Sequence, residues 1–167
     1  MRILFAPFAA RAPSLGGRPS PKDYPWAKEL GVKLQENHEV IQVGGSQDEQ
    51  VAEDFRKNLS FPEVEELIKG SDTGICVDSY LQHHFWSVGR RAIVLFGISD
   101  PLIFGHSIHL NLLKDRSYLR PQQYDLYYTN QYCPEAFVSL SEILDALGNF
   151  KQISTNGGAT TLPSSNP

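Results

Sequence analysis

Residues 73–96 read TGICVDSYLQHHFWSVGRRAIVLF and decide the fold of this chain. Two apolar runs of strand length, Thr73–Val77 and Arg91–Phe96, flank a segment, Leu81–Val88, that favours a helix closed by Gly89. The core of the second run is continuously apolar, which is typical of strands covered on both faces. A strand, a helix and a strand joined by short loops predict a parallel pair with a right-handed crossover.

The same alternation continues on both sides of this unit. Further strands are predicted at Arg2–Phe8, His38–Val43 and Ile108–Leu113, and further helices at Tyr24–Leu34, Asp48–Phe55, Ser60–Gly70 and Val138–Leu147. Ser60 and Glu63 form a candidate capping box, Ser139 or Ser141 would open the last helix, and Gly148 would stop it. We therefore predict an α/β fold, a Rossmann-like parallel sheet with helices on both faces.

Length and composition indicate one domain. Residues 1–150 of the 167 can hold a core, whereas 12 of the last 17 residues, 151–167, are Ser, Thr, Asn, Gly or Pro and predict a disordered tail. The net charge of −4 does not support a nucleic-acid partner, and no apolar run approaches the ~20 residues of a membrane span. Cys76 and Cys133 have no zinc spacing, which favours two reduced thiols and a cytoplasmic protein.

Polar and glycine-rich residues follow the predicted strands, in the loops Pro7–Lys22, Gly44–Asp48, Asp78–His83 and Phe96–Pro101. In open α/β sheets, ligands bind beyond the carboxyl ends of the strands, so these loops are expected to meet at one site. Gly44-Gly45 is neither a dinucleotide fingerprint nor a phosphate loop followed by lysine.

The Asp78–His83 loop favours a phosphate ligand. It leads from a strand into a helix, whose free N–H groups and positive dipole end would face the ligand, with Ser79 and His83 as further donors. Alternatively, Asp78 or Ser79 simply caps the helix. Cations for a diphosphate are available from Lys22, Arg18 and Arg11 in the first loop.

Together these segments resemble the C-terminal, nucleotide-sugar-binding domain of family 9 (heptosyltransferase-like) glycosyltransferases of GT-B fold. The segments are Lys22-Asp23-Tyr24-Pro25, Val43–Glu49, Gly70–His83 and Leu95–Pro101, in the family's order, and the resemblance covers roughly residues 1–148. Tyr80 stands where the family motif has glycine, and Tyr24 where it has tryptophan.

The resemblance implies a nucleotide diphosphate sugar as the donor, with no metal and no cofactor. It assigns the donor diphosphate to Lys22, Ser79, Tyr80, Leu81 and His83, and the nucleoside cleft to Gly44, Gly45, Asp48, Glu49, Gly97, Ser99 and Asp100. Asp48 or Glu49 is the candidate for the ribose. The catalytic base is not identified: Asp78 and Asp100 are the candidates in this chain, whereas the family carries its base on an N-terminal acceptor domain.

Two functions remain open. The first is a glycosyltransferase, or its donor-binding subunit, with a second chain or a homo-oligomer supplying the acceptor side. The alternative is a non-catalytic nucleotide or nucleotide-sugar binding module, which Tyr80 favours; a transferase acting on DNA or nucleotides is a weaker third. The stretch Tyr118–Tyr132, with five tyrosines in fifteen residues, is either a surface loop or a platform for a partner or acceptor.

Overall fold

The fold is a single parallel sheet. The computed structural model describes residues 1–10, 20–124 and 132–155. Its strands are β1 (Arg2–Ala6), β2 (Glu39–Gly44), β3 (Asp54–Lys57), β4 (Thr73–Val77), β5 (Ala92–Phe96) and β6 (Leu110–Leu113). They form one sheet in the order β3-β2-β1-β4-β5-β6, and every pair is parallel. The predicted α/β sheet is confirmed.

Helices cover both faces of the sheet, as the sequence predicts. The helices are α1 (Ala27–Gln35), α2 (Phe61–Lys69), α3 (Tyr80–Ser87), the short α4 (Pro101–Phe104) and α5 (Leu140–Thr155). Successive side chains of β1 alternate between two cores: Phe5 packs with α1 and α5, and Leu4 with α2 and α3. Burial on both sides explains the continuously apolar β5.

The strand order places a crevice beside β1. From β1 the chain moves outward to β2 and β3 in one direction, then returns to β4 and proceeds through β5 and β6 in the other. The loops after β1 and β4 therefore separate at the carboxyl edge, which is the position where sheets of this order bind ligands. The residues after Ala6 and Val77 are thus placed at that edge.

The helix predicted at Asp48–Phe55 is wrong. Residues 45–53 form turns and loops, and Asp54–Lys57 is the edge strand β3, paired with β2. The buried amide of Gln42 explains the difference: its Nε2 donates to the Glu49 carbonyl at 2.7 Å, and its Oε1 accepts from the N–H of Val51 at 2.7 Å. These bonds satisfy backbone groups that a helix would otherwise pair.

The predicted end of the last helix is also wrong. Ser139 opens α5 through a reciprocal contact with Glu142, but the helix passes Gly148 and runs to Thr155. Phe150 beyond it is 3% exposed and packs in the core, which keeps the backbone helical. The helix therefore enters the segment 151–167 predicted as a tail, of which residues 156–167 lie outside the described residues.

Several smaller expectations can be compared with the structure. Ser60 and Glu63 form the predicted capping box, and Cys76 and Cys133 are free thiols. No helix within the described ranges is long and apolar enough to cross a membrane. Much of the tyrosine-rich stretch, residues 125–131, lies outside the described part.

Two glycines test this packing in opposite directions. A Cβ at Gly97 would lie 2.7 Å from the Phe137 ring, whereas a Cβ at Gly148 meets nothing within 4 Å. We expect Gly97→Ala to lower the free energy of unfolding by about 1–3 kcal/mol through overpacking. We expect Gly148→Ala to raise it by about 0.5–1 kcal/mol, because alanine costs less backbone entropy in a helix.

Urea unfolding followed by circular dichroism measures both changes. A destabilised Gly148→Ala variant would show that the helix does end at this residue. An unchanged Gly97→Ala variant would show that Phe137 does not pack against this glycine.

Candidate functional site at the carboxyl edge of the sheet

Two cavities open at the carboxyl edge of the sheet, on either side of the turn after β2. One, of about 380 Å³, lies between this turn and residues 8–10 after β1. The other, of about 270 Å³, lies towards β3 and the start of α2. Gly44, Gly45, Asn58 and Tyr80 line both cavities. The structure thus brings together the predicted cleft residues that follow β2 and β4.

Asp48 holds the glycine turn in place. Its Oδ2 accepts from the Gly45 N–H at 2.7 Å, and a Cβ on Gly44 would lie only 2.3 Å from this oxygen. Asn58, at a φ of 53°, closes the turn from the other side: its N–H donates to the Gly44 carbonyl, and its Oδ1 accepts from Ser46. Gly44 is therefore required by the turn itself. The ribose role of Asp48 or Glu49 stays a prediction.

Tyr80 forms a wall between the two cavities. The residue is 43% exposed, and its ring meets Phe61 edge-on with centroids 6.4 Å apart. Desolvation raises the pKa of Tyr80, with smaller contributions from Cys76 and Asp48. The hydroxyl therefore stays neutral at physiological pH. Where the family motif has glycine, this chain presents an aromatic surface to the cleft.

A buried ion pair joins the loops after β1 and β4. Lys22 Nζ lies 2.7 Å from Asp78 Oδ2, and the two side chains are only 13% and 4% exposed. The other carboxylate oxygen, Oδ1, accepts from Gln82 Nε2 at 2.6 Å, and Gln82 itself is fully buried. Both oxygens of Asp78 are thus engaged, so it is poorly placed to act as the base. The Lys22 ammonium also lies 5.4 Å from the centroid of the Phe104 ring.

Ser79 begins α3 without capping it. Its side chain makes no cap hydrogen bond, and its Oγ is buried without a hydrogen-bond partner among the described residues. Buried polar atoms are normally paired, so an unpaired hydroxyl beside free helix N–H groups suits a ligand anion. Leu81 is fully buried and offers only its backbone N–H there. The alternative in which Asp78 or Ser79 merely caps the helix finds no support in the hydrogen bonds of Ser79.

His83, on the first turn of α3, is paired with a residue that sequence analysis missed. Its Nδ1 lies 2.8 Å from Nε2 of His106, and the His106 ring stacks on Trp86 with centroids 4.4 Å apart. His109 lies behind them: its Nδ1 accepts from the Ala92 N–H, so the proton is on Nε2, which donates to the Gln82 carbonyl. Burial lowers the pKa of His109 and keeps it neutral. The histidines are thereby tied to the helix that carries Ser79.

The candidates after β5 all make structural contacts, and their role in the nucleoside cleft stays a prediction. Asp100 caps α4 through the Leu102 N–H and forms a two-point ion pair with Arg116. This hydrogen-bonded guanidinium holds the pKa of Asp100 below its usual range, which disfavours a role as base. Gly97 makes room for the Phe137 ring, and Ser99 is 1% exposed.

The predicted site therefore divides into a cleft around Gly44 and Tyr80, a charged centre at Lys22, and the His83 pair. Sequence analysis missed Asn58, Gln82, Phe104, His106 and Arg116. None of these residues carries a sequence signal of its own. Gln82 is turned inward by the helix, and the others act through partners that are distant in sequence. Within the described ranges, no group of three His, Cys, Asp or Glu side chains is arranged to hold a metal ion.

These features define a Rossmann-like domain of the kind that forms one half of a GT-B glycosyltransferase. The sequence matches the model of glycosyltransferase family 9 (heptosyltransferase) over residues 18–116. The chain belongs to this family. No curated protein matches the sequence.

Solved structures agree with this fold. ADP-heptose LPS heptosyltransferase II of E. coli matches with a TM-score of 0.62 and 16% identity, over 92% of this chain and 47% of that one. A family 9 glycosyltransferase from Veillonella parvula matches with a TM-score of 0.63 and 14% identity, over 92% and 46%. The dodecameric iron-containing glycosyltransferase TibC of enterotoxigenic E. coli matches with a TM-score of 0.65 and 12% identity, over 95% of this chain and 48% of that one. This chain spans about half the length of each.

The Lys22–Asp78 pair predicts a non-additive effect on stability. Lys22→Met leaves a buried carboxylate without its cation, and we expect it to lower the free energy of unfolding by about 3–5 kcal/mol. The double variant Lys22→Met/Asp78→Asn removes both charges and should recover more than half of that loss. Denaturant unfolding of the wild type, Lys22→Met, Asp78→Asn and the double variant measures the coupling.

Lys33→Met is the matched control, since Lys33 pairs with Glu36 at the surface with side chains about half exposed. This substitution should change stability very little, because solvent screens such pairs. If Lys22→Met behaved like Lys33→Met, the buried pair would not contribute as described.

Proposed function

We propose that this domain binds a nucleoside diphosphate sugar at the carboxyl edge of its sheet and serves as the donor-binding half of a glycosyltransferase. The observation that carries the proposal is the Ser79 Oγ at the start of α3, which has no hydrogen-bond partner in the described part of the chain and is next in sequence to the carboxylate that holds the Lys22 ammonium. Helix N–H groups, a hydroxyl and a nearby cation form a set of donors that suits phosphate oxygens. The E. coli heptosyltransferase is named for ADP-heptose and TibC forms a complex with an ADP-heptose, so ADP is the first diphosphate to test.

In this proposal the donor's base lies in the cleft beside the Gly44–Asp48 turn, and its diphosphate lies at α3. The leaving diphosphate gains negative charge as the sugar departs, and Lys22, His83 and the α3 N–H groups stabilise that charge. With these donors in place the transfer requires no metal. The acceptor hydroxyl still needs a base, and Asp78 and Asp100 are both committed to other partners.

The acceptor side is therefore proposed to come from a surface outside this domain. A second chain or a homo-oligomer could close the cleft and supply the base. TibC is dodecameric, which supports an oligomer as one route. Leu102 on α4, 81% exposed, and Tyr80 lie at this edge and offer apolar surface to such a partner.

The second candidate is nucleotide binding without turnover. Two observations favour it. Both carboxylates that could act as the base in this chain, Asp78 and Asp100, are already paired, and Tyr80 lies in the cleft. Sugar release from the donor separates the two functions, since a binding module retains the donor intact.

Ligand-dependent thermal stability tests donor binding directly. Nucleoside diphosphates and nucleotide sugars are screened against the wild type, His83→Ala and His84→Ala. A ligand at a hundred times its dissociation constant adds about 2.7 kcal/mol of stability, which shifts the melting temperature by several degrees. We expect stabilisation by one nucleotide class, lost in His83→Ala.

His84→Ala is the control, because His84 faces Phe61 and Glu65 rather than the His83 pair. The His84→Ala variant should keep the rise in melting temperature that the ligand causes. EDTA should not reduce this rise in the wild type. If no nucleotide at millimolar concentration stabilises the wild type, this domain does not bind a donor by itself.

A further inference from the structure

The contact between His83 and His106 limits how many protons the two rings carry. Nδ1 of His83 and Nε2 of His106 lie 2.8 Å apart, so one hydrogen lies between them. One ring donates and the other accepts, which leaves room for only one further proton while the contact lasts. The two rings therefore carry either no charge or a single shared positive charge.

His106 is held firmly enough to orient His83. Its ring stacks on Trp86 with 5° between the planes, and its carbonyl accepts from Asn111 Nδ2 at 3.1 Å. The preceding Gly105 has no room for a side chain, since a Cβ would lie 2.6 Å from the Pro101 carbonyl oxygen. His83 is exposed and has only this one polar contact among the described residues. The orientation of its ring is thus set by His106.

The same segment also contacts the charged centre. Phe104 lies against the Lys22 ammonium, and His106, two residues later, contacts His83. From the other side, Lys22 pairs with Asp78, on the loop that leads into α3. Residues 104–106 therefore connect the two cationic groups proposed to face the diphosphate.

We propose that His106 is the positioning residue for His83, and that the two rings meet the diphosphate as one unit that takes up a proton when the anion binds. This inference rests on the proposed function, because it requires a diphosphate at His83 Nε2. An anion there stabilises the singly charged pair and opposes the neutral one. Affinity is then highest where the pair is protonated and falls as the pH rises.

The surroundings of His106 oppose a positive charge on its ring. Burial lowers the pKa of His106, and the neighbouring His83 lowers it further. His109 immediately precedes β6, and the centroids of the His109 and His106 rings are 5.6 Å apart. Burial lowers the pKa of His109. Arg91, immediately before β5, adds positive charge near His109. The proton taken up on binding therefore comes from solvent.

The experiment measures ADP affinity from pH 7 to 9 for the wild type, His106→Phe, His106→Gln and His84→Gln. ADP itself is almost fully ionised in this range, since a phosphate loses its second proton at a pKa of about 6. His106→Phe keeps a ring against Trp86 but cannot bond to His83, whereas the Gln amide can. We expect His106→Phe to weaken ADP binding about tenfold at pH 8, the effect of losing one charge-assisted hydrogen bond.

The shape of the pH profile separates this role from a merely structural one. In His106→Phe the affinity should fall less steeply between pH 7 and 9 than in the wild type, because less proton is taken up on binding, and His106→Gln should recover binding at pH 7. His84→Gln should follow the wild type. Calorimetry of the wild type at pH 8 in buffers of different ionisation enthalpy should show net proton uptake with ADP, and none in His83→Gln.

Parallel pH profiles of the wild type and His106→Phe, or ADP binding without proton uptake by the wild type, would overturn this inference. Neither result would contradict the proposed diphosphate site. Absence of ADP binding by the wild type, with other nucleoside diphosphates also failing, would remove the proposed function and this inference with it. The calorimetric result does not depend on the folding of any His106 variant.

Discussion

The organisation of the carboxyl edge depends on one buried charge pair. Asp78 follows β4 directly and is buried, and burying a carboxylate is costly unless it is paired and hydrogen-bonded. Lys22 and Gln82 supply those partners from the loop after β1 and from the first turn of α3. The pair therefore fixes two loops that the strand order would otherwise let diverge. It also holds a cation beside the helix N-terminus, where the domain has a hydroxyl without a partner among the described residues.

The elements next to this pair form the cleft and occupy the candidate carboxylates. The glycine turn after β2, braced by Asp48 and Asn58, leaves a cleft beside Tyr80. The arrangement supports binding of a charged, extended ligand with a planar part. It provides no free carboxylate among the candidates Asp78 and Asp100, which is why an acceptor side from elsewhere is part of the proposal.

Much of the fold could be predicted from the sequence, because burial on both faces leaves β4 and β5 as uninterrupted apolar runs. The errors have physical causes: the Gln42 side chain replaces helical hydrogen bonds near Glu49, and the buried Phe150 carries α5 past Gly148. The site was predicted at the level of loops. The partners of its residues were not, because the Asp100–Arg116 and His83–His106 contacts join residues with no local pattern between them.

The proposed function depends on a diphosphate that binds between the N-terminus of α3 and the Lys22–Asp78 pair. A crystal structure of the protein with ADP tests it most directly. We expect phosphate oxygens within hydrogen-bond distance of Ser79 Oγ, the first N–H groups of α3 and the Lys22 ammonium, with the base in the cleft beside Tyr80. Phosphates bound away from α3, with Ser79 Oγ still unpaired, would contradict it.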